Sequence, residues 1–235
     1  MEVQGDQEGK EGQVTLPGTY NMYVNREPRF YISVLYNGAW FRREGRTTRF
    51  MRGEWDGGPT HDAPQNGYLL RKKVHPDHDP RTGQNPYRPG ILYRLGEAYL
   101  NYAEALNEVD PGNSDILYYI NKVRERAGIP DLSEGENQDE MREAIRRERR
   151  VELNNEGIRY FDLRRWKLGE EKLNGDFYGM NFYGTEYDDD PNNENAFFVR
   201  TPYQTRVFTK KNYWIPIHQT EIDRNFNIEQ NPFWD

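Results

Sequence analysis

The 235-residue chain carries a formal net charge of −7 and has no cysteine. An acidic balance offers no basic footprint for phosphates, so we predict no nucleic-acid partner, and the lack of cysteine excludes disulfides, thiol catalysis and thiolate metal sites. No apolar run approaches the ~20 residues that a membrane helix needs, so we expect this chain to be soluble.

The beginning of the chain changes character near residue 20. Residues 1–19 are rich in Gly, Glu and Gln without periodicity, which predicts a flexible tail, and the polar start at Met1 is typical of a chain whose natural sequence continues upstream. Residues 31–36 form a β-prone run that ends at the turn signal Asn37-Gly38. This pattern predicts a strand or a short hairpin.

Aromatic residues punctuate the segment that follows. Residues 42–90 are rich in Gly, Pro, Arg and Asp and show no lasting period, which predicts a long loop. Trp40, Phe41 and Trp55 lie in or beside this loop. Such rings can stack on the apolar C–H face of a sugar, and they can also pack against the helices, which we favour for any single ring. We keep the three as candidate ligand-binding residues.

Two polar loops resemble metal sites in composition. Residues 75–79 contain two His and two Asp, but their spacing matches no zinc signature. Within residues 186–195, Asp188, Asp190 and Asn192 have the alternate spacing of calcium ligands, yet the later Gly and Glu of an EF-hand are missing. We predict no metal and no cofactor, and we leave an irregular calcium site at 186–195 open.

The clearest helical period begins at residue 91. A helix running to about residue 108 should bury an apolar face formed by Leu92, Leu95, Tyr99, Tyr102 and Leu106. A second amphipathic helix should follow the turn at 110–113 and end at Gly128 and Pro130. This helical hairpin matches part of the tetratricopeptide pattern.

Residues 138–168 predict two further helices separated by a glycine. Glu148 and Glu152 should lie on the apolar face of the first, because positions four apart stack above one another. Two such carboxylates could form the catalytic pair of a glycoside hydrolase. We favour a structural ion network with Arg159 and Arg164, because guanidinium groups depress the pKa of a carboxylate whereas a general acid needs a raised one.

Six motifs follow one another in a distinctive order from residue 26 to the end of the chain. They are REPRFY at 26–31, RLGEAYLNYAEALN at 94–107, INKVRERAGIP at 120–130, ERRVELNNEGIRYFDLRRW at 148–166, and near the end YWIPIHQTEIDRN and QNPFW. Their order resembles the carboxy-terminal part of the SusD/RagB family of outer-membrane nutrient-binding lipoproteins. The family's usual second proline near the tail is replaced here by His218.

The resemblance implies a cell-surface protein of the outer membrane that captures a glycan or another nutrient without catalysis. It implies delivery of the oligosaccharide to a SusC-like TonB-dependent transporter. It also implies anchoring by a lipid on an amino-terminal Cys, and because this chain has no Cys, we expect that it does not itself carry the anchor. It implies a ligand site built from aromatic residues on loops, and Trp40 and Trp55 are candidates because they lie near the first motif. The alternatives are a glycoside hydrolase and a module that docks to the transporter without selecting the ligand.

Together these patterns predict a mainly α fold, with tetratricopeptide-like helical hairpins, long irregular loops and a short β element near the N-terminus. After the tail at 1–19, we expect one domain over 20–235. Its parts are a strand and loop region at 20–90, a helical scaffold at 91–168, and a loop and C-terminal tail at 169–235.

Overall fold

The computed structural model describes residues 19–41, 44–57 and 63–234. The predicted tail at 1–19 falls outside these ranges except for Thr19, which is buried. The described part is mainly helical, with short strands and long irregular connections, which confirms the predicted fold class. No helix within these ranges combines the length and the apolar content that crossing a bilayer requires.

The helices concentrate between residues 95 and 172. In chain order, the α-helices of the described ranges are α1 Pro28–Ser33, α2 Leu95–Val109, α3 Ser114–Arg126, α4 Gln138–Glu152, α5 Ile158–Arg165, α6 Gly169–Lys172 and α7 Gln219–Arg224.

Side-chain caps fix where α3 and α4 begin. The Asn113 side chain accepts a hydrogen bond from the backbone N–H of Asp115 at the start of α3. At the start of α4, Asn137 accepts from the backbone N–H of Glu140, and the Glu140 side chain accepts from the backbone N–H of Asn137. Both caps satisfy amide groups that a helix start leaves unpaired, and the cap of α4 is reciprocal.

The helices α2, α3 and α4 pack around one apolar core. Ala103 of α2, Ile120 of α3 and Ile145 of α4 are buried together, and small Ala103 allows the neighbouring helices to approach closely. Burying an Ile side chain contributes roughly 2 kcal/mol. A second cluster extends this core with Leu100, Val123 and Leu153.

The buried face of α2 differs from the predicted one. Leu100, Ala103 and Asn107 are buried, whereas Leu95 and Tyr102 are exposed and Leu92, which precedes the helix, is 98% exposed. The prediction was wrong at these three positions. An apolar period shows that a face is suited to burial, but it does not show which neighbours cover it.

The strands are short and pair in twos. Three antiparallel sheets form within the described ranges, pairing β1 Val34–Tyr36 with β4 Tyr68–Leu70, β2 Trp40–Phe41 with β3 Arg46–Thr47, and β5 Gly175–Gly179 with β6 Thr201–Arg206.

The strand predicted over residues 31–36 forms only in its second half. Pro28 stands at the start of α1, where its missing N–H costs nothing, and the helix runs to Ser33. Tyr31 is fully buried, and its hydroxyl donates to the carbonyl of Tyr23 at 2.7 Å. The tertiary environment of Tyr31 therefore outweighs its β propensity.

Of the two predicted alternatives, a strand or a short hairpin, the hairpin across Asn37-Gly38 does not form, because β1 pairs with β4. Gly38 adopts the left-handed backbone conformation with φ of 93°, which suits glycine. The Asn37 side chain accepts a hydrogen bond from the backbone N–H of Phe50 at 2.7 Å. The turn is therefore used to hold the segment around Phe50 instead of joining two paired strands.

An aromatic core lies beside the helical one. Tyr23, Tyr36, Phe50 and Phe197 are almost fully buried within it, and the ring centroids of Tyr23 and Tyr36 are 4.6 Å apart. Aromatic pairs at such distances add to the free energy of burial alone. This core fastens the segment 180–198 to the N-terminal part of the chain.

The C-terminal segment lies against α5 and α6. The Tyr213 hydroxyl accepts a hydrogen bond from the backbone N–H of Gly169 at 3.0 Å, and the Tyr213 carbonyl accepts one from Arg164. Phe208 packs so closely on Gly169 that a side chain there would overlap its ring. The apolar side chains of Trp214 and Phe233 nevertheless remain exposed.

Candidate functional site

Glu148 and Glu152 share one face of α4 and are almost fully buried. One nitrogen of Arg29, Nη1, donates to both carboxylates, at 2.5 Å from Glu148 and 3.0 Å from Glu152. Three further donors complete the pairs: Arg124 to Glu148 at 2.9 Å, Arg94 to Glu152 at 2.5 Å, and Arg126 to Glu152. We call these residues the ion network. It joins α1 and α3 to α4 and to the residue that precedes α2.

The predicted partners of the two acids lie elsewhere. Arg164 donates to the Tyr213 carbonyl, and its guanidinium carbon lies 5.2 Å from the ring centroid of Tyr160. The guanidinium carbon of Arg159 lies 5.9 Å from the ring centroid of Trp166. The prediction that Arg159 and Arg164 pair with Glu148 and Glu152 was therefore wrong.

Arg149 explains why α5 does not reach the ion network. Successive helical residues point about 100° apart, so Arg149 leaves α4 on a different side from Glu148. There it donates to both carboxylate oxygens of Asp162 in α5, each at 3.0 Å, and to Asn101 in α2 at 2.5 Å. The helix α5 therefore packs on the Arg149 side of α4.

The charges around Glu152 make it a poor general acid. Burial alone would raise its pKa, but hydrogen bonds from Arg94 and Arg29 and the charge of Arg126 outweigh burial and hold the pKa below its usual value. The pKa of Glu156 is lowered against burial in the same way, by hydrogen bonds from Arg94 and Lys72. A general acid in glycoside hydrolysis needs a raised pKa. The arrangement is that of structural ion pairs.

A cleft of about 1030 Å³ opens beside the ion network. Its walls come from α1, the ends of α3 and α4, the turn at 72–73 and the extended segment 88–94. We call it the Arg94 cleft. Glu152 and Glu156 lie on its wall, with their carboxylates already bonded to arginine and lysine.

Trp55 stands at an exposed position on a tightly bonded loop. Its side chain is 71% exposed, and the guanidinium carbon of Arg46 lies 4.9 Å from its ring centroid. Arg46 is itself held by two hydrogen bonds to the Asp56 carboxylate, at 2.6 and 2.9 Å. The pKa of Asp56 is lowered by these bonds and by the backbone N–H of Arg49, although its burial acts in the opposite direction.

Gly57 closes this loop by a close backbone approach. A Cβ at Gly57 would lie 1.8 Å from the carbonyl oxygen of Met51, so no other residue fits there without movement. The backbone N–H of Asp56 donates to the Arg49 carbonyl at 2.9 Å, and that of Glu54 donates to Met51 at 3.0 Å. Trp55 is therefore presented by a loop whose backbone is bonded on both sides of it.

Trp40 and Phe41 do not form one platform. Neighbouring residues of a strand point to opposite faces, and Trp40 pairs with Thr47 while Phe41 pairs with Arg46. Trp40 is 39% exposed, whereas Phe41 packs against the aromatic core. Of the three predicted ligand-binding residues, Trp55 is thus the most accessible ring.

A second exposed ring lies near this loop. The backbone N–H of Arg52 donates to the carbonyl of Gly184 at 3.2 Å, which brings the segment around residue 183 to the Trp55 loop. Tyr183 is 69% exposed, and the Arg52 guanidinium lies 5.9 Å from its ring centroid. No local sequence pattern could reveal this neighbour, because about 130 residues of chain separate the two positions.

The two loops considered as metal sites bind their own polar groups. The His75 ring accepts from the backbone N–H of Asp77 at 3.1 Å. Asp188 accepts from Asn193 at 2.8 Å and from the backbone N–H of Asp189, and these bonds lower its pKa. Across the described ranges, no group of three or more His, Asp or Glu residues is arranged to hold a metal ion.

Comparison with known proteins gives one consistent result. A family model described as the SusD family matches residues 3–234. A protein named SusD-like protein P2, from Formosa agariphila, is 33% identical over 148 residues, which are 60% of this chain and 25% of that protein.

Solved structures show the same likeness in three dimensions. A SusD-like protein from Bacteroides fragilis superposes with a TM-score of 0.75 at 29% identity, over 92% of this chain and 40% of that one. A second protein from the same organism, described as a SusD-like carbohydrate binding protein, has a TM-score of 0.70 at 28% identity, over 94% of this chain and 46% of that one. The chain therefore spans less than half the length of these relatives.

Proposed function

The chain belongs to the SusD family, and from this premise we propose that it takes part in non-catalytic binding of a carbohydrate nutrient at the cell surface. The relative from Bacteroides fragilis that is described as carbohydrate binding shares 28% identity with this chain and supports the proposal. Both Glu148 and Glu152 are buried and bonded to arginines, which argues against the alternative of a glycoside hydrolase, because neither carboxylate is free to meet a substrate.

The exposed ring of Trp55 is the observation that carries the proposal. A flat indole covers the C–H face of a pyranose well, and stacking of this kind requires no titrating group. Arg46 supports the ring and is locked by Asp56, so little side-chain freedom is lost when a sugar arrives. We assign Trp55 the main ring contact, Trp40 a secondary one, and Phe41 a supporting position.

The experiment is calorimetric titration of the full-length protein with hexasaccharides: maltohexaose, laminarihexaose, xylohexaose and hexagalacturonate. We expect at least one to bind and Trp55→Ala to weaken that binding by roughly tenfold, about what one aromatic stacking contact contributes. Trp214→Ala removes an equally bulky exposed ring from the C-terminal segment and should leave the affinity unchanged. Silence of the wild type towards all sugars, or equal losses in both variants, would contradict the proposal.

We further propose that the bound oligosaccharide passes to a SusC-like TonB-dependent transporter in the outer membrane. Family membership supports this step. Affinity purification of the full-length protein from outer membranes solubilised in mild detergent should recover such a transporter. Recovery of the protein alone, under conditions that retain other outer-membrane complexes, would count against delivery.

A further inference from the structure

The Arg94 cleft has the size of a ligand site and an unusual charge. Its volume of about 1030 Å³ lies at the upper end of the range for small-molecule sites. Six cationic side chains line it, and only three acidic ones do, in a chain whose net charge is −7. The cations are Arg29, Lys72, Lys73, Arg88, Arg94 and Arg126.

The acids on the wall neutralise part of this charge, because they pair with four of the six cations, and the excess lies with the other two. Glu152 is bonded by Arg94 and Arg126, and Glu156 is bonded by Lys72 at 2.5 Å. The third acid, Glu125, pairs with a lysine outside the cleft wall. A bound anion would therefore meet positive charge that is not fully neutralised.

Two of the cations are free to bind something else. Lys73 and Arg88 are exposed, and neither has an ion-pair partner among the residues described at 19–41, 44–57 and 63–234. Lys73 adopts the left-handed backbone conformation with φ of 68°. Such conformations are costly for a residue with a side chain and are enriched at ligand sites.

Arg29, on the cleft wall, has a hydrogen-bond donor without a partner in the described part of the chain. Its Nε is buried and has no hydrogen-bond partner within the described structure, although its Nη atoms bind three carboxylates. A buried donor left unsatisfied costs free energy unless a ligand or water satisfies it. Arg29 itself lies on the cleft wall.

Apolar side chains on the same wall suit a saccharide better than a bare inorganic anion. Ile32 and Ile91 line the cleft and are both more than half exposed, beside Pro89. Aliphatic and proline surfaces accommodate the C–H groups of a sugar ring, while the lysine and the arginine reach its charged substituents. The cleft thus combines an apolar wall with cationic donors.

We propose that the Arg94 cleft binds the carboxylate or sulfate groups of an acidic oligosaccharide. Lys73 and Arg88 are the residues that contact the anionic group directly. The inference rests on the proposed function and adds its substrate class: the oligosaccharide that binds in this cleft carries negative charge.

The test compares maltohexaose, sulfated maltohexaose and hexagalacturonate by calorimetric titration of the full-length protein. One or both acidic sugars should bind more tightly than maltohexaose, with an affinity that falls as NaCl is raised. The double variant Lys73→Gln/Arg88→Gln should weaken acidic binding by roughly tenfold and leave neutral binding unchanged. Whether sulfate or carboxylate gives the larger effect identifies the anionic group.

Arg147→Gln/Lys210→Gln is the matched control, since it removes the same charge from exposed positions outside the cleft. It should not change the affinity. Equal losses in both double variants, no effect of Lys73→Gln/Arg88→Gln, or acidic sugars that bind no better than maltohexaose would overturn the inference. If acidic sugars bind no better than maltohexaose but maltohexaose still binds, the proposed function is unaffected. If no sugar binds in either experiment, both the proposed function and this inference are overturned.

Discussion

Glu148 and Glu152 show how a single helical face can fasten several parts of a chain. Their guanidinium partners come from α1, from α3 and from the residue before α2. Removing one member of a buried ion pair leaves the other uncompensated, which costs more than the pair itself contributes. The ion network should therefore matter chiefly for the relative placement of these elements.

We expect Glu152→Gln to lower the free energy of unfolding by about 3 kcal/mol, because Arg29 and Arg94 would lose a buried anion. Urea titration followed by circular dichroism measures the loss. The control is Glu143→Gln, which breaks an exposed pair with Arg146 on the same helix and should cost less than about 1 kcal/mol. Equal losses in the two variants would show that Glu152 is only a surface charge.

The lowered pKa of Glu152 also sets the sign of a pH effect. Its pKa in the folded chain lies below the ordinary value of 4.5, so the unfolded chain takes up the proton first as the pH falls. The stabilisation is therefore complete above about pH 4.5 and is lost as the pH falls through the folded pKa. The stability gap between wild type and Glu152→Gln, measured in urea from pH 7 to pH 3, should shrink below pH 4.5. A gap that stayed constant would contradict this assignment.

At the scale of elements, the loop around Trp55 depends on Gly57. We expect Gly57→Ala to lower the free energy of unfolding by about 1–3 kcal/mol, because the new Cβ would overlap the Met51 carbonyl. Gly90→Ala is the control, since nothing lies within 4 Å of its Cβ, and it should stay within about 0.5 kcal/mol. Thermal unfolding followed by circular dichroism measures the stability of both variants. An unchanged Gly57→Ala variant would mean that the loop is held elsewhere.

The sequence predicted the helices much better than the strands. The ends of α2, α3 and α4 lie within a few residues of the predicted positions, because apolar period, turn residues and caps are local signals. Local signals could not predict the partner of β1, because β4 lies more than 30 residues away along the chain. The same limit hid Tyr183 beside the Trp55 loop.

The ion network shows a subtler limit. The positions of Glu148 and Glu152 on one helical face followed from their spacing, but their partners depended on which side of α4 each neighbour packs. Arg159 and Arg164 are close in sequence and carry the right charge, yet Arg149 draws α5 to another side of the helix. Charge complementarity in a sequence therefore identifies candidates for pairing without choosing among them.

At the scale of the whole molecule, the two cores have different structural roles. The helical core around Ile120 and Ile145 builds a rigid scaffold, and the aromatic core around Tyr36 and Phe197 anchors the loops that carry the exposed rings. Scaffolds that position loops in this way commonly place recognition on the loops. The candidate binding residue Trp55 lies on such a loop, whereas the buried carboxylates lie within the scaffold.

The central claim is that Glu148 and Glu152 hold the scaffold together and do not cleave sugar. The most direct test is the release of reducing ends from the oligosaccharide that the full-length wild type binds in the titrations above. We predict binding without release above the buffer control over a day of incubation. Release that is present in the wild type and disappears in a folded Glu148→Gln variant would contradict the claim and make the carboxylates catalytic.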